Sequence, residues 1–253
     1  PVDVPIVGDS KFVLKRMLQV LDDEKDLFSS HPSLTSHWLK EIHEWKSGYP
    51  LTYVRDGSLK PQFVIERIFE LTKGKAVIST EVGQNQMWTA QFFKFLKPRT
   101  ILTSGGLGTM GYGFPAAIGA QVAFPEKLVI DIAGDGSIQM NIQELATAVQ
   151  YNLPVKVVIL NNRHLGMVRQ WQELFYEKRY TWTTIDCCPD FVKLAEAYGA
   201  VGYRIENEGD VDGILKKAFK NQRPTFVDVI VNPEESVYPM VPAGAPLREM
   251  LLV

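Results

Sequence analysis

Apolar positions along residues 61–231 follow two alternating spacings, and this alternation predicts the elements of the fold. Short apolar runs predict buried strands, whereas apolar residues three or four positions apart predict helices. The predicted strands are Ala76–Ser79, Thr100–Thr103, Leu128–Ile132, Val155–Leu160, Val201–Ile205 and Thr225–Val231. Because helical patterns separate them, we expect an α/β fold: a doubly wound, mainly parallel sheet with helices on both faces.

Helical spacing occupies the segments around these strands. The predicted helices are Pro61–Lys73, Gln86–Phe95, Phe114–Ala123, Asn141–Tyr151, Pro189–Ala197 and Val211–Phe219. The first 60 residues read differently and contain a predicted helix at Leu34–Lys46. The last segment, Pro233–Val253, contains four prolines, so we expect a loop that caps another part of the molecule.

Composition limits the partners and the compartment. The chain is 45% hydrophobic and 22% charged with a net charge of −2, so it has no general attraction for nucleic acid or an anionic membrane. No apolar run reaches the roughly 20 residues of a membrane-spanning helix, and the N-terminus has no signal-like pattern. Cys187 and Cys188 are adjacent, which favours neither a disulfide nor a zinc site. We therefore expect a reducing, cytosolic-type compartment.

Two short polar segments follow neighbouring predicted strands. Gly134-Asp135-Gly136-Ser137 follows one strand, and Asn161-Asn162 follows the next. The carboxyl ends of parallel strands meet at one edge of a sheet, so Asp135 and Asn162 are expected to approach each other. A carboxylate and an amide oxygen suit Mg²⁺ and leave positions for phosphate oxygens. The two glycines would admit phosphates close to the backbone, and the serine would donate hydrogen bonds. Each segment alone is also typical of an ordinary turn.

A second glycine-rich segment leaves another ligand open. Residues 106–111 fit G-x-G-x-x-G between a predicted strand and a helix, and Asp131 lies 20 positions after Gly111. This is the pattern of a dinucleotide-binding unit, so a Rossmann-like, nucleotide-binding or non-catalytic module is an alternative. Against it, the glycines continue to Gly113 and Pro115 follows.

The polar segments and their neighbours resemble a known family. A GDG word followed after 24 residues by NN is similar to the signature of thiamine-diphosphate enzymes. Four words in the same order resemble the catalytic subunit of acetohydroxyacid synthase, also called acetolactate synthase: Gly83–Trp88, Ser104–Gly113, Asn161–Trp171 and Tyr238–Pro242. Another thiamine-diphosphate enzyme, of the pyruvate oxidase or decarboxylase type, is the alternative within the same cofactor class.

This resemblance implies an activity and its setting. Pyruvate would condense with a second 2-ketoacid and release CO₂. The product would be 2-acetolactate, or 2-aceto-2-hydroxybutyrate when 2-ketobutyrate is the acceptor, in branched-chain amino-acid biosynthesis. A homodimer or tetramer formed through the cofactor site and a regulatory small subunit are the implied protein partners. The implied location is the cytoplasm, or a plastid or mitochondrion if a transit peptide precedes the chain.

The resemblance also implies a role for each matched residue. Mg²⁺ would be held by the side chains of Asp135 and Asn162 and the carbonyl of His164. The Gly108 carbonyl would accept a hydrogen bond from the aminopyrimidine of the cofactor, and Met110 would hold the cofactor bent. The full cofactor-binding set is Val82, Gly83, Gln84, Asn85, Gly108, Met110, Gly134, Asp135, Gly136, Ser137, Asn162, His164, Leu165, Gly166 and Met167.

Two further expectations concern the channel and one departure from the family. Met167, Val168 and Trp171 would line the channel for substrates and inhibitors, with Met167 and Trp171 on one helix face. The family usually has histidine where this chain has Asn85. Asparagine cannot carry a charge, so the affinity for diphosphate is expected to differ.

The resemblance finally implies a C-terminal fragment of a longer enzyme. Residues 1–25 would end a central domain, 26–60 would form a helical linker, 61–232 the thiamine-diphosphate- and Mg²⁺-binding domain, and 233–253 a capping tail. The family's activating glutamate lies in an N-terminal domain, so we expect no complete catalytic set and no activity in this chain alone. Glu81 and Glu144 are interpreted as structural. FAD would bind the full-length enzyme and not this part.

Overall fold

The computed structural model describes residues 2–29 and 33–252, and the chain divides into two compact units, Pro1–Thr52 and Tyr53–Val253. The first unit holds the helices α1 (Ser10–Asp23), α2 (Lys25–Ser29) and α3 (Ser33–Gly48). Asp9 caps α1 by accepting a hydrogen bond from the Phe12 N–H at 2.9 Å. Of the predicted linker, residues 30–32 lie outside the described residues, and residues 49–60 contain no helix.

The second unit is built around one parallel sheet. Its strands are β1 (Val77–Thr80), β2 (Ile101–Leu102), β3 (Val129–Gly134), β4 (Lys156–Asn161), β5 (Val201–Ile205) and β6 (Thr225–Ile230). Its helices are α4 (Pro61–Thr72), α5 (Gln84–Phe92), α6 (Gly113–Ala123), α7 (Asp135–Ile138), α8 (Leu145–Gln150), α9 (Gly166–Phe175), α10 (Phe191–Ala197) and α11 (Val211–Lys220). The predicted doubly wound α/β fold is confirmed.

Both faces of the four central strands, β1, β3, β4 and β6, are buried, and successive residues of each strand contribute to opposite faces. In β3, Ile130 and Ile132 join a cluster with α4, α5 and α11, whereas Val129 and Ala133 join a cluster with α6, α8 and α10. Burial on two sides explains why the strands are almost continuously apolar. It also explains why their positions are predictable from the sequence to within two residues.

The strand order places a switch point beside β1. The order is β2-β1-β3-β4-β6-β5, with every pairing parallel. The chain moves to one side from β1 to β2 and to the other side from β3 to β4. Ligands of such sheets bind beyond the carboxyl ends of the strands at this point. The segments that follow β1, β3 and β4 are those for which the sequence predicts diphosphate and metal binding.

Several elements differ in detail from their predicted form. The segment predicted as helix Asn141–Tyr151 begins with a 3₁₀ turn at Ile142–Glu144 and becomes α-helical at Leu145. The helix predicted over Gln86–Phe95 begins at Gln84 and ends at Phe92. The short helix α7 follows β3 directly and was not predicted. Of the helices in the described parts of the chain, none is both long and apolar enough to cross a membrane.

Candidate cofactor and metal site

Asp135 and Asn162 lie at the carboxyl ends of adjacent strands. β3 ends at Gly134, which pairs with Leu160 in β4. Both side chains are buried. The two predicted metal ligands line one cavity of about 120 Å³.

The carboxylate of Asp135 is held in a desolvated position. Burial raises its pKa from 3.8 to about 7, although main-chain N–H groups of residues 135, 136 and 162 oppose this shift. The thiol Sγ of Cys188 lies 3.9 Å from Asp135 Oδ2, and burial raises the thiol pKa to about 11, so that neighbour stays neutral. A divalent cation would favour the ionised form of Asp135.

Asn162 and His164 offer the other oxygen atoms that a cation at this position could use. The side-chain Oδ1 of Asn162 accepts the His164 N–H at 3.0 Å, and its Nδ2 donates to Gln84 Oε1 at 3.3 Å. His164 pairs with Thr184 in an antiparallel bridge of the non-hydrogen-bonded type. Its own C=O therefore points away from Thr184, toward the side on which its N–H meets Asn162. Across residues 2–29 and 33–252, no three His, Cys, Asp or Glu side chains gather as a metal site. A cation here would rely on one carboxylate plus amide and main-chain oxygens.

The turn between β1 and α5 forms another wall of the cavity. Gly83 has a φ of 142°, which favours glycine, and it is the N-cap of α5. The residues of this turn that line the cavity are Val82, Gly83, Gln84 and Asn85. Asn85 Nδ2 donates to the Ile132 carbonyl at 2.9 Å. The main-chain N–H groups at the start of α5 are therefore the donors that this wall offers to an anion.

Glycines bring the opposite backbone close to the cavity. A Cβ on Gly136 would lie 2.9 Å from the Leu165 side chain, and one on Gly166 would overlap the amides of Gln84 and Asn162. Every residue of the predicted cofactor-binding set lines this cavity except Gly108. Gly108 has a φ of 66°, and a Cβ there would lie 3.8 Å from the Val82 side chain.

A buried carboxylate organises the glycine-rich segment 104–113. Glu81 Oε2 accepts the Gly111 N–H at 2.6 Å, and its Oε1 accepts the Phe114 N–H at 3.0 Å. Burial raises the pKa of Glu81, while these N–H donors lower it. The carboxylate is thus occupied by the loop, which agrees with the structural interpretation of Glu81. Glu144 lies elsewhere, where its carboxylate accepts the Thr147 hydroxyl at 3.0 Å.

The acid that the dinucleotide alternative requires is inside the sheet. Asp131 is fully buried in β3, and its Oδ1 accepts the Ser79 hydroxyl at 2.9 Å. Burial and the nearby Glu81 raise the pKa of Asp131 well above its ordinary value. Asp131 is enclosed within the sheet and bonded to Ser79, so it cannot reach a ribose at the sheet edge, and this pattern does not function as a dinucleotide fingerprint.

A second, larger cavity adjoins the first. Met167 and Val168 line both cavities, while Trp171 lines only the larger one, of about 1070 Å³. Trp171 also makes an edge contact with Phe175, with ring centroids 5.4 Å apart. Tail residues close the other side of this cavity: Val237, Pro239, Met240 and Val241. The predicted channel residues therefore face the predicted capping tail across an apolar space.

The sequence analysis did not identify the residues whose hydrogen bonds join α9 to the start of α5 and to the tail. Gln170 on α9 is fully buried and bonds both Gln84 and Val237. Asn161, the first residue of the NN word, donates to the buried Asp228 at 2.9 Å, and Arg204 donates to the same carboxylate. A glutamine at an inward-facing position of an amphipathic helix was the available signal for Gln170.

Comparison with known proteins places this cavity in a family of cofactor-binding domains. The family model described as thiamine pyrophosphate enzyme, C-terminal TPP binding domain, matches residues 81–229. Acetolactate synthase isozyme 3 large subunit of Escherichia coli (strain K12) is 48% identical over 99% of this chain and 44% of its own length. Acetolactate synthase large subunit of Haemophilus influenzae is 47% identical over 100% of this chain and 44% of its own length. Acetolactate synthase of Mycobacterium leprae is 47% identical over 96% and 40% respectively. The chain thus spans less than half the length of these curated relatives.

Proposed function

The chain belongs to the thiamine pyrophosphate enzymes, and we propose that it is the C-terminal, cofactor-binding part of an acetolactate-forming enzyme. Such an enzyme joins pyruvate to a second 2-ketoacid and releases CO₂, in branched-chain amino-acid biosynthesis. The observation that carries the proposal is the joined pair of cavities. One contains Asp135, Asn162 and the N-terminus of α5, and the other is apolar and shares Met167 and Val168.

The residues present fit thiamine diphosphate with Mg²⁺. Asp135, Asn162 and the His164 carbonyl offer oxygen ligands only, which suits Mg²⁺ and leaves positions for phosphate oxygens. The backbone at Gly83, Gly134 and Gly136 approaches the cavity without side chains. At Gly134, a Cβ would lie 3.3 Å from Asn85 Oδ1, so a side chain there would compete for this space.

Each part of the site has a separate task in this proposal. When bound, the cofactor supplies the acidic carbon and the electron sink that decarboxylation of a 2-ketoacid requires. The Gly108 carbonyl would accept a hydrogen bond from its aminopyrimidine, and Met110 would pack against the cofactor. Met167, Val168 and Trp171 bind the apolar parts of the 2-ketoacids, pyruvate and 2-ketobutyrate, and the tail excludes water.

Proton transfer to the cofactor requires a group from outside this chain. Glu81 accepts main-chain N–H groups, and Glu144 bonds Thr147, so neither carboxylate is available within the site. We propose that the activating glutamate belongs to a further domain, supplied by a second copy in a homodimer or tetramer. FAD and a regulatory small subunit would likewise bind the longer enzyme.

The same proposal assigns the parts of this chain. Residues 1–25 would be the end of a central domain, 26–60 a linker, 61–232 the cofactor domain, and 233–253 the cap.

Calorimetric titration with thiamine diphosphate tests the proposal. We expect binding that requires Mg²⁺ and is reversed by EDTA. Asp135→Ala should abolish it, whereas Glu126→Ala, which removes an exposed acid at the opposite end of β3, should leave it intact. Binding that persists in Asp135→Ala would contradict the metal assignment. If the chain alone fails to bind, a chain extended to the length of the relatives decides, and failure there would refute the proposal.

Product analysis distinguishes the remaining alternative within the cofactor class. The extended enzyme should convert pyruvate to 2-acetolactate. Acetaldehyde, or acetyl phosphate with peroxide, would instead indicate a decarboxylase or oxidase. The chain alone should form no product, and carboligation by it would refute the assignment of the activating glutamate to another domain.

A further inference from the structure

A continuous series of buried amides connects the tail to Asn162. Gln170 Oε1 accepts the Val237 N–H at 2.8 Å, and Gln170 Nε2 donates to the Val237 carbonyl at 2.9 Å. Gln84 Nε2 donates to Gln170 Oε1 at 3.0 Å and to the Glu235 carbonyl at 3.1 Å. Gln84 Oε1 in turn accepts from Asn162 Nδ2 at 3.3 Å. Both glutamines are buried, with Gln170 at 0% exposure.

The main chain at one end fixes the orientation of every amide in the series. A side-chain amide can turn over and exchange its nitrogen and oxygen, but a backbone cannot exchange N–H and C=O. Val237 offers one donor and one acceptor, which orients Gln170. The Gln170 oxygen and the Glu235 carbonyl are both acceptors, so the Gln84 atom between them must be the donor nitrogen. Gln84 therefore presents its side-chain oxygen to Asn162, and only the side-chain nitrogen of Asn162 can donate a hydrogen bond to it.

The result at Asn162 is a side-chain oxygen held away from Gln84. That oxygen accepts the His164 N–H at 3.0 Å and retains a second lone pair. An overturned Asn162 would set its nitrogen against the His164 N–H and leave Gln84 without a donor. The orientation of this ligand thus depends on a series of contacts that ends in the tail.

We infer that Gln170 is a positioning residue through which the tail holds Asn162 in its metal-binding orientation. The inference rests on the proposed function, in which Asn162 is a ligand of Mg²⁺. Coupling between two sites is reciprocal, so a metal ion on Asn162 should also tighten the tail at Val237.

Two features restrict the positions of the residues in this series. A Cβ on Gly166 would overlap both Gln84 and Asn162, so their contact requires glycine at that position. The side chain of Glu235 accepts from Lys60 and Gln62, each at 2.8 Å. The start of the tail is therefore anchored independently of Gln170, and a change at Gln170 should act on Val237 more than on Glu235.

Gln170→Met tests the inference, because methionine keeps the side-chain length and removes both polar atoms. Gln172→Met is the matched control on the same helix, since the Gln172 amide bonds Thr181 and Thr183 and not the tail. The measurements are the Mg²⁺ affinity at saturating thiamine diphosphate and the amide exchange of residues 233–241. A lost buried hydrogen bond predicts about tenfold weaker Mg²⁺ binding in Gln170→Met. Its tail exchange should be faster by a similar factor, and the control should change neither beyond about twofold.

Unchanged Mg²⁺ affinity in Gln170→Met would overturn the inference, provided that the unmodified chain binds Mg²⁺. If Gln170→Met does not fold, Gln170→Glu replaces it. The ionised carboxylate cannot donate to Val237, whereas the protonated acid can. Mg²⁺ affinity relative to the unmodified chain at the same pH should therefore recover as the pH falls. No recovery would count against the inference.

A metal-free measurement separates this inference from the proposed function. If neither the unmodified chain nor the chain extended to the length of the relatives binds Mg²⁺, the proposed function fails, and the amide series is judged by exchange alone. Asn162→Ala should then accelerate exchange at Val237, because the series is broken at its far end. Exchange at Val237 equal to that of the unmodified chain would refute the coupling itself.

Discussion

Two glycine-rich segments at the same edge of the sheet have opposite surroundings. In residues 104–113, the N–H of Gly111 is taken by the buried carboxylate of Glu81. In residues 134–137, all four residues line the cavity, and the Ser137 hydroxyl makes only long contacts of 3.3 Å with Gly134. Glycines allow a backbone to approach a ligand closely, but a carboxylate from a neighbouring strand decides whether its N–H groups remain available.

The acids beside the two segments differ in the same way. Burial raises the pKa of Asp131 and of Asp135, but only Asp135 lines a cavity. Asp131 Oδ2 is buried without a hydrogen-bond partner in the described structure. The first segment is therefore closed at its end, where Gly111 and Gly113 pack against buried acids, whereas the second leaves its acid facing a space that a cation can enter. Four substitutions, from the largest expected effect to the smallest, test this difference.

Gly113→Ala should have the largest effect because it adds a side chain inside the closed segment. A Cβ there would overlap the Asp131 carboxylate and lie 2.5 Å from the Glu81 nitrogen. Backbone atoms cannot move aside cheaply, so we expect a loss of about 4 kcal/mol in the free energy of unfolding, or no folded protein.

Gly119→Ala is the control in the same helix, since a Cβ there meets nothing within 4 Å. It should stabilise the protein by about 0.5 kcal/mol. Urea denaturation of both variants gives the comparison, and similar values for the two would show that segment 104–113 is not closed.

Asp135→Asn should stabilise the metal-free protein at pH 8 while removing the metal ligand. The folded pKa of about 7 lies above the ordinary 3.8, so the folded state binds this proton more tightly. The free energy of unfolding therefore falls as the pH rises from about 4 to 7, by up to about 4 kcal/mol for this group. The substitution removes this pH dependence, and we expect the free energy of unfolding at pH 8 to rise by about 2 kcal/mol. The gain is smaller than about 4 kcal/mol because asparagine accepts the main-chain N–H groups less well than a carboxylate.

Denaturation curves between pH 4 and pH 8 measure this effect as the difference between the two proteins. Other titrating groups cancel in that difference. A difference that does not vary with pH would mean that Asp135 is ionised normally and that its site is not desolvated.

Glu81→Gln should loosen the closed segment without unfolding the protein. The amide oxygen can accept one N–H group, but its nitrogen then faces the other, so we expect a loss of about 1.5 kcal/mol. Amide exchange of residues 104–113 should accelerate. Glu144→Gln is the matched control because Glu144 bonds only a threonine hydroxyl, and it should change stability by less than about 0.5 kcal/mol. Equal amide exchange of residues 104–113 in both variants would show that Glu81 does not hold this segment in place.

The fold was largely predictable, whereas the contacts within the site were not. Strands such as Lys156–Asn161 were located because burial on both faces leaves a local apolar signature. Asp135 and Asn162 were brought together by the simple rule that parallel strands end at one edge. The partners of Glu81 and Gln170 lie 30 and 67 positions away, and hydrogen bonding over such distances has no periodic trace in a sequence.

Gly136→Ala should have the smallest effect on stability, because it adds a methyl group to the open segment. The Cβ would lie 2.9 Å from Leu165 Cδ2 and 3.3 Å from Ile185 Cδ1, which are ends of flexible side chains that can shift. Alanine also reduces the entropy of the unfolded chain, so the free energy of unfolding should change by less than about 0.5 kcal/mol.

The shifted Leu165 side chain would enter the cavity, and thiamine diphosphate should bind about fivefold more weakly, since about 1 kcal/mol of contact is lost. Gly209→Ala, where a Cβ meets nothing within 4 Å, should change neither quantity. A loss of stability in Gly136→Ala as large as that in Gly113→Ala would mean that both glycine-rich segments are closed. Asp135 would then face packed atoms rather than a space for a cation, and the distinction between the two segments would fail.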